Sequence, residues 1–470
     1  MSEVTTVDPA TGEPLATYPA ADVGAVLHVL EAVHVAQPAW AALPVAERAG
    51  LVRAVGEQLR KQADDLAGLM TAEMGKPIGE ARAEVEKSAT ACDYYADSGP
   101  GFFLPRPVET GGPRRSWVAH EPIGVVLAVM PWNFPFWQVL RFAAPTLLAG
   151  NTAILKHSPS VTGCALAIER VFRDAGLPSD VFRSVVVAEA DVPEVSRALI
   201  EDDRIAAVSL TGSERAGAAV AAAAGGVIKK SLLELGGSDP FVVLADADLD
   251  VAVAGAVKSR FINSGQSCLA AKRFVVHTAV AGEFTRRFAG AVADLRVGDP
   301  RDESTDIGPM ARGDLRDGLE RQVRESVSAG ATVRTGGAPL EGPGAYFAPT
   351  VLGDVTLDMP VMAEETFGPV AAVIPVADDD EAVRIANATR YGLGASVWSR
   401  DPEHALAVGR RITSGALFVN AVVASDPRLP FGGTKRSGYG RELGEAGALE
   451  FTNARTYVVG GGVPGGPATE

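Results

Sequence analysis

A chain of 470 residues, 47% of them hydrophobic, is long enough to divide its burial between two cores rather than one. Its net charge of −15 and pI near 5.0 exclude a nucleic-acid partner, whose phosphates require a basic surface, and point instead to small-molecule ligands. Three scattered cysteines, Cys92, Cys164 and Cys268, give no disulfide framework and fit a reducing cytosol. From Met1 to Pro9 the chain has neither the basic nor the apolar region of a signal peptide, so a cytoplasmic location is expected.

In chain order, Leu51, Val55, Leu59, Leu66, Leu69 and Met70 recur at helical spacing, predicting an amphipathic helical region over Pro44 to Met74. A second helix is expected from Gly79 to Asp97, stopped by the breaker Ser98-Gly99-Pro100-Gly101. Trp117 to Pro122 and Gly124 to Met130 read as β segments joined by a Pro-Ile-Gly turn. Short apolar strands then alternate with helices, at Ala153 to Leu155, Ser184 to Val187 and Ile205 to Ser209. The most apolar run, Ala216 to Ile228, is mostly Ala and Gly, falls short of the roughly 20 residues of a membrane span and predicts a helix packed closely on a sheet.

A second set of strands follows Gly237, at Pro240 to Leu244, Arg273 to His277, Ala371 to Pro375, Gly394 to Trp398 and Gly415 to Val419. Such alternation predicts an α/β protein with two parallel sheets, each covered by helices. No internal repeat or long linker interrupts it, and the Gly/Pro-rich tail after Gly460 is expected to fray.

Cysteine is more often a buried hydrophobe than a nucleophile. Cys268 differs from the other two in its neighbours, because Asn263, Gln266 and Ser267 are an odd choice for a dry core and Gly265 permits unusual backbone. Glu234 closes the apolar strand Ser231-Leu232-Leu233, where ligands approach open parallel sheets; alone, it reads equally well as a partner of Lys229 or Lys230. A thiolate that attacks a carbonyl needs a second group to activate the water that releases the product, and these two residues supply both roles. Asn133, after the strand ending at Met130, offers an amide to an oxyanion, although capping the next helix is the default reading. Thr211 to Gly217 opens a helix whose N-terminus suits a phosphate, as a weak motif. His157 has no second histidine at ligand spacing, and no metal site is expected.

These pieces, in this order and across nearly the whole chain, resemble the aldehyde dehydrogenase superfamily: PWNFP at Pro131 to Pro135, LTGS at Leu210 to Ser213, LELGG at Leu233 to Gly237, NSGQSC at Asn263 to Cys268, EETFGPV at Glu364 to Val370 and PFGGTKRSGYGRE at Pro430 to Glu442. KHSP, GQSCLAAKRF and GPMAR resemble its succinate-semialdehyde dehydrogenase branch. The resemblance implies a cofactor-binding domain at residues 1–103 and 123–236, an oligomerisation element at 104–122 and 452–470, a catalytic domain at 237–451, and a homodimer or homotetramer. It implies Cys268 as nucleophile, Glu234 as base, and Asn133 with the Cys268 N–H as oxyanion hole. By the same resemblance Trp132, Lys156, Gly212, Ser213 and Gly217 contact NAD or NADP, Ser158, Pro159 and Leu235 complete that set, and Glu365 and Phe367 lie near the nicotinamide ribose.

Strict NAD users in the family often carry a glutamate three residues after the lysine; here Pro159 stands there, so NADP is not excluded and NAD is not required. Many succinate-semialdehyde enzymes carry an arginine six residues before the cysteine; here it is Ile262. Arg141 matches their second carboxylate-binding arginine. Ser425 and Arg428 match the segment lining the substrate entrance, and Arg428 is the candidate to replace the missing charge. The leading expectation is therefore a semialdehyde dehydrogenase. A general aliphatic or aromatic aldehyde dehydrogenase is the alternative, and a non-catalytic binding protein is disfavoured by intact Cys268, Glu234 and Asn133.

Overall fold

The computed structural model describes residues 2–111 and 114–460. The chain begins with an antiparallel hairpin, β1 (Glu3–Val7) and β2 (Pro14–Pro19), followed by α1 (Val23–Ala42), α2 (Val45–Lys61), α3 (Ala63–Met74) and α4 (Ile78–Phe102). The expected helical region from Pro44 to Met74 is thus two helices that meet at Gln62. The expected breaker does not break α4, which runs through Pro100 to Phe102. Gly99 is there for packing: a Cβ would lie 2.2 Å from Leu148 Cδ2 on a neighbouring helix.

After β3 (Arg106–Pro107) and β4 (Arg115–Pro122) come β5 (Val125–Met130), α5 (Pro135–Leu148), β6 (Thr152–His157), α6 (Thr162–Asp174), β7 (Phe182–Val185), α7 (Val192–Glu201), β8 (Ile205–Thr211), α8 (Glu214–Gly226) and β9 (Lys230–Glu234). Their sheet has the order β9-β8-β5-β6-β7, all parallel. Alternate side chains of β5 serve opposite faces: Val125 and Leu127 pack with α1, α7 and α8, while Val126 and Ala128 pack with helices from the α2–α6 group. The chain leaves β5 first toward β6 and β7, then returns to β8 on the other side. Between β5 and β8 lies the switch point, where connections diverge and a crevice opens at the strands' carboxyl ends.

The second sheet takes β10 (Asp239–Val243), α9 (Leu249–Phe261), β11 (Ala271–His277), α10 (Thr278–Ala293), α11 (Gly313–Ser328), β12 (Thr332–Thr335), β13 (Thr350–Gly353), α12 (Pro360–Ala363), β14 (Val370–Val376), α13 (Asp379–Asn387), β15 (Gly394–Trp398), α14 (Pro402–Gly409) and β16 (Ala416–Val419). Its order is β12-β13-β14-β11-β10-β15-β16, with only the edge strand β12 antiparallel. The chain finishes with β17 (Gly438–Tyr439), α15 (Gly444–Glu450) and β18 (Thr452–Val459). β17 adds antiparallel to β9, so the first sheet borrows a strand from the region expected to be wholly catalytic. β18 pairs with β4 along its whole length in a separate three-stranded sheet, where Tyr457 stacks on Trp117 at 5.0 Å. The tail expected to fray after Gly460 lies outside the described residues.

Candidate active site

The carboxyl edge of the first sheet faces the segment entering β11 of the second, and Cys268 stands in that segment, half-buried and opening into a cavity of about 830 Å³. The backbone leading to it is left-handed at three consecutive residues, Asn263 and Ser264 (φ 53° each) and Gly265 (φ 74°). Such conformations cost a non-glycine residue roughly 1–3 kcal/mol and persist only where surroundings fix them. Here the fixing groups are explicit. Glu80 of α4 accepts the Asn263 N–H at 2.6 Å, and the Asn263 amide donates to the carbonyls of Asn133 (2.8 Å) and Gln266 (3.1 Å). Ser264 exchanges hydrogen bonds with Gly308, and Gln266 Oε1 accepts the Ala311 N–H at 2.9 Å. Gly265 has no alternative, because a Cβ would lie 2.4 Å from the Gly368 carbonyl. The polar residues before the thiol are therefore a buried scaffold whose N–H and hydroxyl groups are bonded, while Asn263 Oδ1 stays without a partner among the described residues.

Lys272, fully buried, donates to the carbonyls of Ser267 (3.0 Å) and Cys268 (2.9 Å) and pairs with Glu365 at 3.3 Å. Burial pushes the Cys268 thiol up to about 11, against the opposing pull of Arg141 and Lys272. The resting group is a thiol, and its attack on a carbonyl requires a proton acceptor. Cys92 and Cys164 are fully buried, with thiols held still higher, so only Cys268 is placed for chemistry.

Glu234 ends β9 and is 2% exposed, with neither carboxylate oxygen in a well-formed hydrogen bond. It does not pair with its lysine neighbours: Lys229 donates to backbone carbonyls and Lys230 binds Glu450. Burial, then the proximity of Glu442, holds its pKa well above the usual carboxylate range, partly offset by Arg141 and Arg441. It is not among the residues lining the cavity, but is near enough to Cys268 to raise the thiol's pKa in turn.

Asn133 does not cap α5; the N–H groups of Phe136 and Trp137 bind Glu84 Oε1 at 2.9 and 3.0 Å. Its Nδ2 donates to Gln266 O at 3.1 Å, so the amide is anchored on the thiol's own loop. A primary amide carries two N–H donors, and only this one bond is made by the Asn133 amide among the described residues.

The residues assigned to a dinucleotide gather at the switch point. Trp132 follows β5 and meets Phe367 edge-on at 5.7 Å. Lys156 on β6 is 6% exposed, without an ion pair among the described residues, and burial lowers its pKa to about 8. Ser158 lies 3.0 Å from Ser160, hydroxyl to hydroxyl, and Pro159 begins a short 3-10 turn. The Gly212 N–H donates to Glu234 O, and Ser213 caps α8. Gly217 admits Leu235, whose Cδ2 would lie 2.5 Å from an added Cβ. Glu365 accepts the Gly237 N–H at 2.9 Å. His157 is buried and satisfied by Pro135 O and the Ser158 N–H, and the described residues hold no cluster with metal-ligating composition.

The substrate residues fare unequally. Arg141 lines the cavity but is held by Glu442 at 2.5 Å and Thr211 at 3.2 Å. Ser425 lines it too. Arg428 does not: its side chain is 73% exposed and forms a local ring with Asp426, at 2.6 Å, two residues back. In this structure Arg428 is therefore not placed at the cavity, whereas Ile262 itself faces it. Lys87 of α4, unmarked in the sequence, lines the same cavity and donates to Ser425 Oγ at 2.8 Å. Glu80 and Glu84 were likewise unmarked, and Glu442 stood in the sequence only as the end of a motif, without a role. The one available signal is that Glu80, Glu84 and Lys87 share helical spacing, yet charged stripes usually face water.

The aldehyde dehydrogenase family profile matches residues 1–457. A protein of Synechocystis sp., named "Probable succinate-semialdehyde dehydrogenase" with NADP(+), is 48% identical over 97% of this chain and 99% of its own. The Escherichia coli (strain K12) succinate semialdehyde dehydrogenase Sad, named with NAD(P)+, is 46% identical over 96% of each. The structure of Streptococcus pyogenes succinic semialdehyde dehydrogenase in complex with NADP+ superposes with a TM-score of 0.93 at 36% identity, over 97% of this chain and 99% of that one. With the strand order, the thiol loop and these matches in agreement, this chain belongs to the aldehyde dehydrogenase family.

Proposed function

We propose that this protein oxidises succinate semialdehyde, or a related short semialdehyde, to the carboxylic acid with NAD or NADP. The observation that carries the reading is a half-buried thiol on a rigid loop, opening into a cavity with cationic side chains and backed by a buried carboxyl group. Cys268 Sγ attacks the aldehyde carbon and its proton passes to a neighbouring acceptor. The Asn133 amide and the Cys268 N–H hold the oxyanion of the resulting thiohemiacetal. A bound nicotinamide dinucleotide supplies the hydride acceptor. Glu234 then takes a proton from the water that hydrolyses the Cys268 thioester, a role suited to a carboxylate of raised basicity.

The residues at the switch point fit such a dinucleotide: Lys156 is a buried cation without an ion pair among the described residues, and the N-terminus of α8 stands beside Gly212. With Pro159 in place of an acid, a 2′-phosphate beside Lys156 meets no like charge from that position. The apolar Ile262 on the cavity wall favours the second reading, a general dehydrogenase of uncharged aldehydes. We assign residues 1–103 and 123–236 to cofactor binding, 237–451 to catalysis, and 104–122 with 452–470 to oligomer contacts. The assembly reading is supported by the largely exposed strand β18 at a sheet edge. No helix of the described residues is long and apolar enough to cross a membrane, and a cytoplasmic location accords with three unpaired cysteines.

The test is a steady-state panel of succinate semialdehyde and hexanal with each cofactor, joined to rapid kinetics of Glu234→Gln. A marked preference for the charged aldehyde is expected. The variant should give a burst of reduced cofactor and then stall, because acylation needs no water. Equal rates on both aldehydes would favour the general enzyme, and equal slowing of both kinetic phases would remove Glu234 as the deacylation base.

A further inference from the structure

Three cationic side chains line the cavity into which Cys268 opens: Lys87, Arg141 and Lys258. They are not equivalent. Arg141 carries its own counter-ion in Glu442, 2.5 Å away. Lys258 is exposed, near the end of α9. Lys87 enters from α4 with its Nζ 4.3 Å from the centre of the Trp137 ring and 2.8 Å from Ser425 Oγ.

The carboxylates that act on Lys87 are engaged elsewhere: Glu84 binds Lys76 and two N–H groups of α5, and Asp426 binds Arg428. Among the described residues Lys87 therefore forms no ion pair. An ammonium has three N–H donors, and one hydroxyl with one ring face leaves it short of partners in a partly desolvated place. Burial lowers its pKa to about 8, which marks the energetic demand for an anion there. Cys268 also bears on that titration, so thiol and ammonium share one electrostatic neighbourhood.

We propose that Lys87, with the Ser425 hydroxyl, binds the distal carboxylate of the aldehyde substrate and sets the preference for a semialdehyde. The cation is supplied from α4, to a cavity whose wall also carries the apolar Ile262. This inference rests on the semialdehyde reading above and names the group that carries its specificity. Glu84 couples the two halves of the site: it fixes the start of α5, next to Asn133, one turn before α4 delivers Lys87. The aldehyde end and the carboxylate end are thus held from the same helix.

The experiment compares succinate semialdehyde with its methyl ester, which keeps the chain and removes the charge, in the full-length protein with saturating cofactor. Lys87→Met should raise KM for the acid by about tenfold or more with kcat little changed, while the ester loses far less. Lys87→Arg should recover most of the loss, and Lys258→Met should leave the ratio of acid to ester as it was. Parallel losses on both substrates, or selective loss in Lys258→Met instead, would overturn the assignment. Should Lys87→Met fail to fold, Ser425→Ala carries the test: a selective rise in KM for the acid supports it, and an unchanged ratio overturns it. If the unaltered enzyme shows no preference for the acid, the semialdehyde reading falls and this inference with it. If it prefers the acid and Lys87→Met retains that preference, only the role of Lys87 falls.

Discussion

Between Asn263 and Gln266 the chain is bound from several directions, by Glu80 of α4, Asn133 after β5, Gly308 and Ala311, with Lys272 gripping the carbonyls of the next two residues. From Ser425 to Arg428 the side-chain bonds are few: one hydroxyl contact to Lys87, and an Asp426–Arg428 pair that closes on itself. The first region holds a strained backbone that only such a network keeps in place; the second holds no comparable strain. On the function proposed above, the contrast separates chemistry from selection. Reacting atoms must be positioned to a fraction of an ångström, so their supports are interlocked, while a wall that recognises the far end of a substrate needs only charge and space.

The sharpest way to break this contrast is Cys268→Ala. It should abolish dehydrogenase activity and leave cofactor binding, measured by titration calorimetry, nearly intact. Residual normal turnover would remove the thiol from the mechanism.

Arg141→Ala comes next, because it strips the partner from buried Glu442. Breaking a buried pair costs about 3–5 kcal/mol, so the melting temperature should fall and activity on charged and uncharged aldehydes should fall together. A loss confined to the charged substrate, with stability unchanged, would make Arg141 a carboxylate clamp.

Alkylation by iodoacetamide sharpens the electrostatic side. With the Cys268 thiol near 11, the thiolate fraction rises with pH throughout the accessible range. The rate should climb roughly a hundredfold from about pH 7 to 9, since each unit below a pKa is tenfold. A plateau already at neutral pH would mean that the thiol is activated in the resting enzyme.

Pro159→Glu places a negative charge close to Lys156. It should weaken NADP relative to NAD by on the order of 1–3 kcal/mol in direct binding measurements. Equal weakening of both would mean a merely structural effect. The smallest effect is expected of Arg428→Ala, within about 0.5 kcal/mol on stability and without a change in substrate preference, as for an exposed ion pair. A selective loss there would restore Arg428 to the substrate wall.

Sequence periodicity was sufficient for the two parallel sheets, because strands buried on both faces must be apolar runs and their connecting helices amphipathic. Contiguous motifs likewise marked Cys268, Glu234 and Asn133 as candidates, and for Cys268 the reason is local, since the left-handed loop before it demands particular residues within a few positions. The sequence did not mark Glu80, Glu84 and Lys87: a charged stripe on a helix normally faces water, and only the packing of α4 against α5 and the thiol loop turns it inward. Gly99 misled for the same reason, its role being a close contact with Leu148 rather than a turn. Local backbone demands are written in adjacent residues. Which cation faces a cavity, and which is already neutralised by a neighbour hundreds of residues away, is decided only when distant segments pack together.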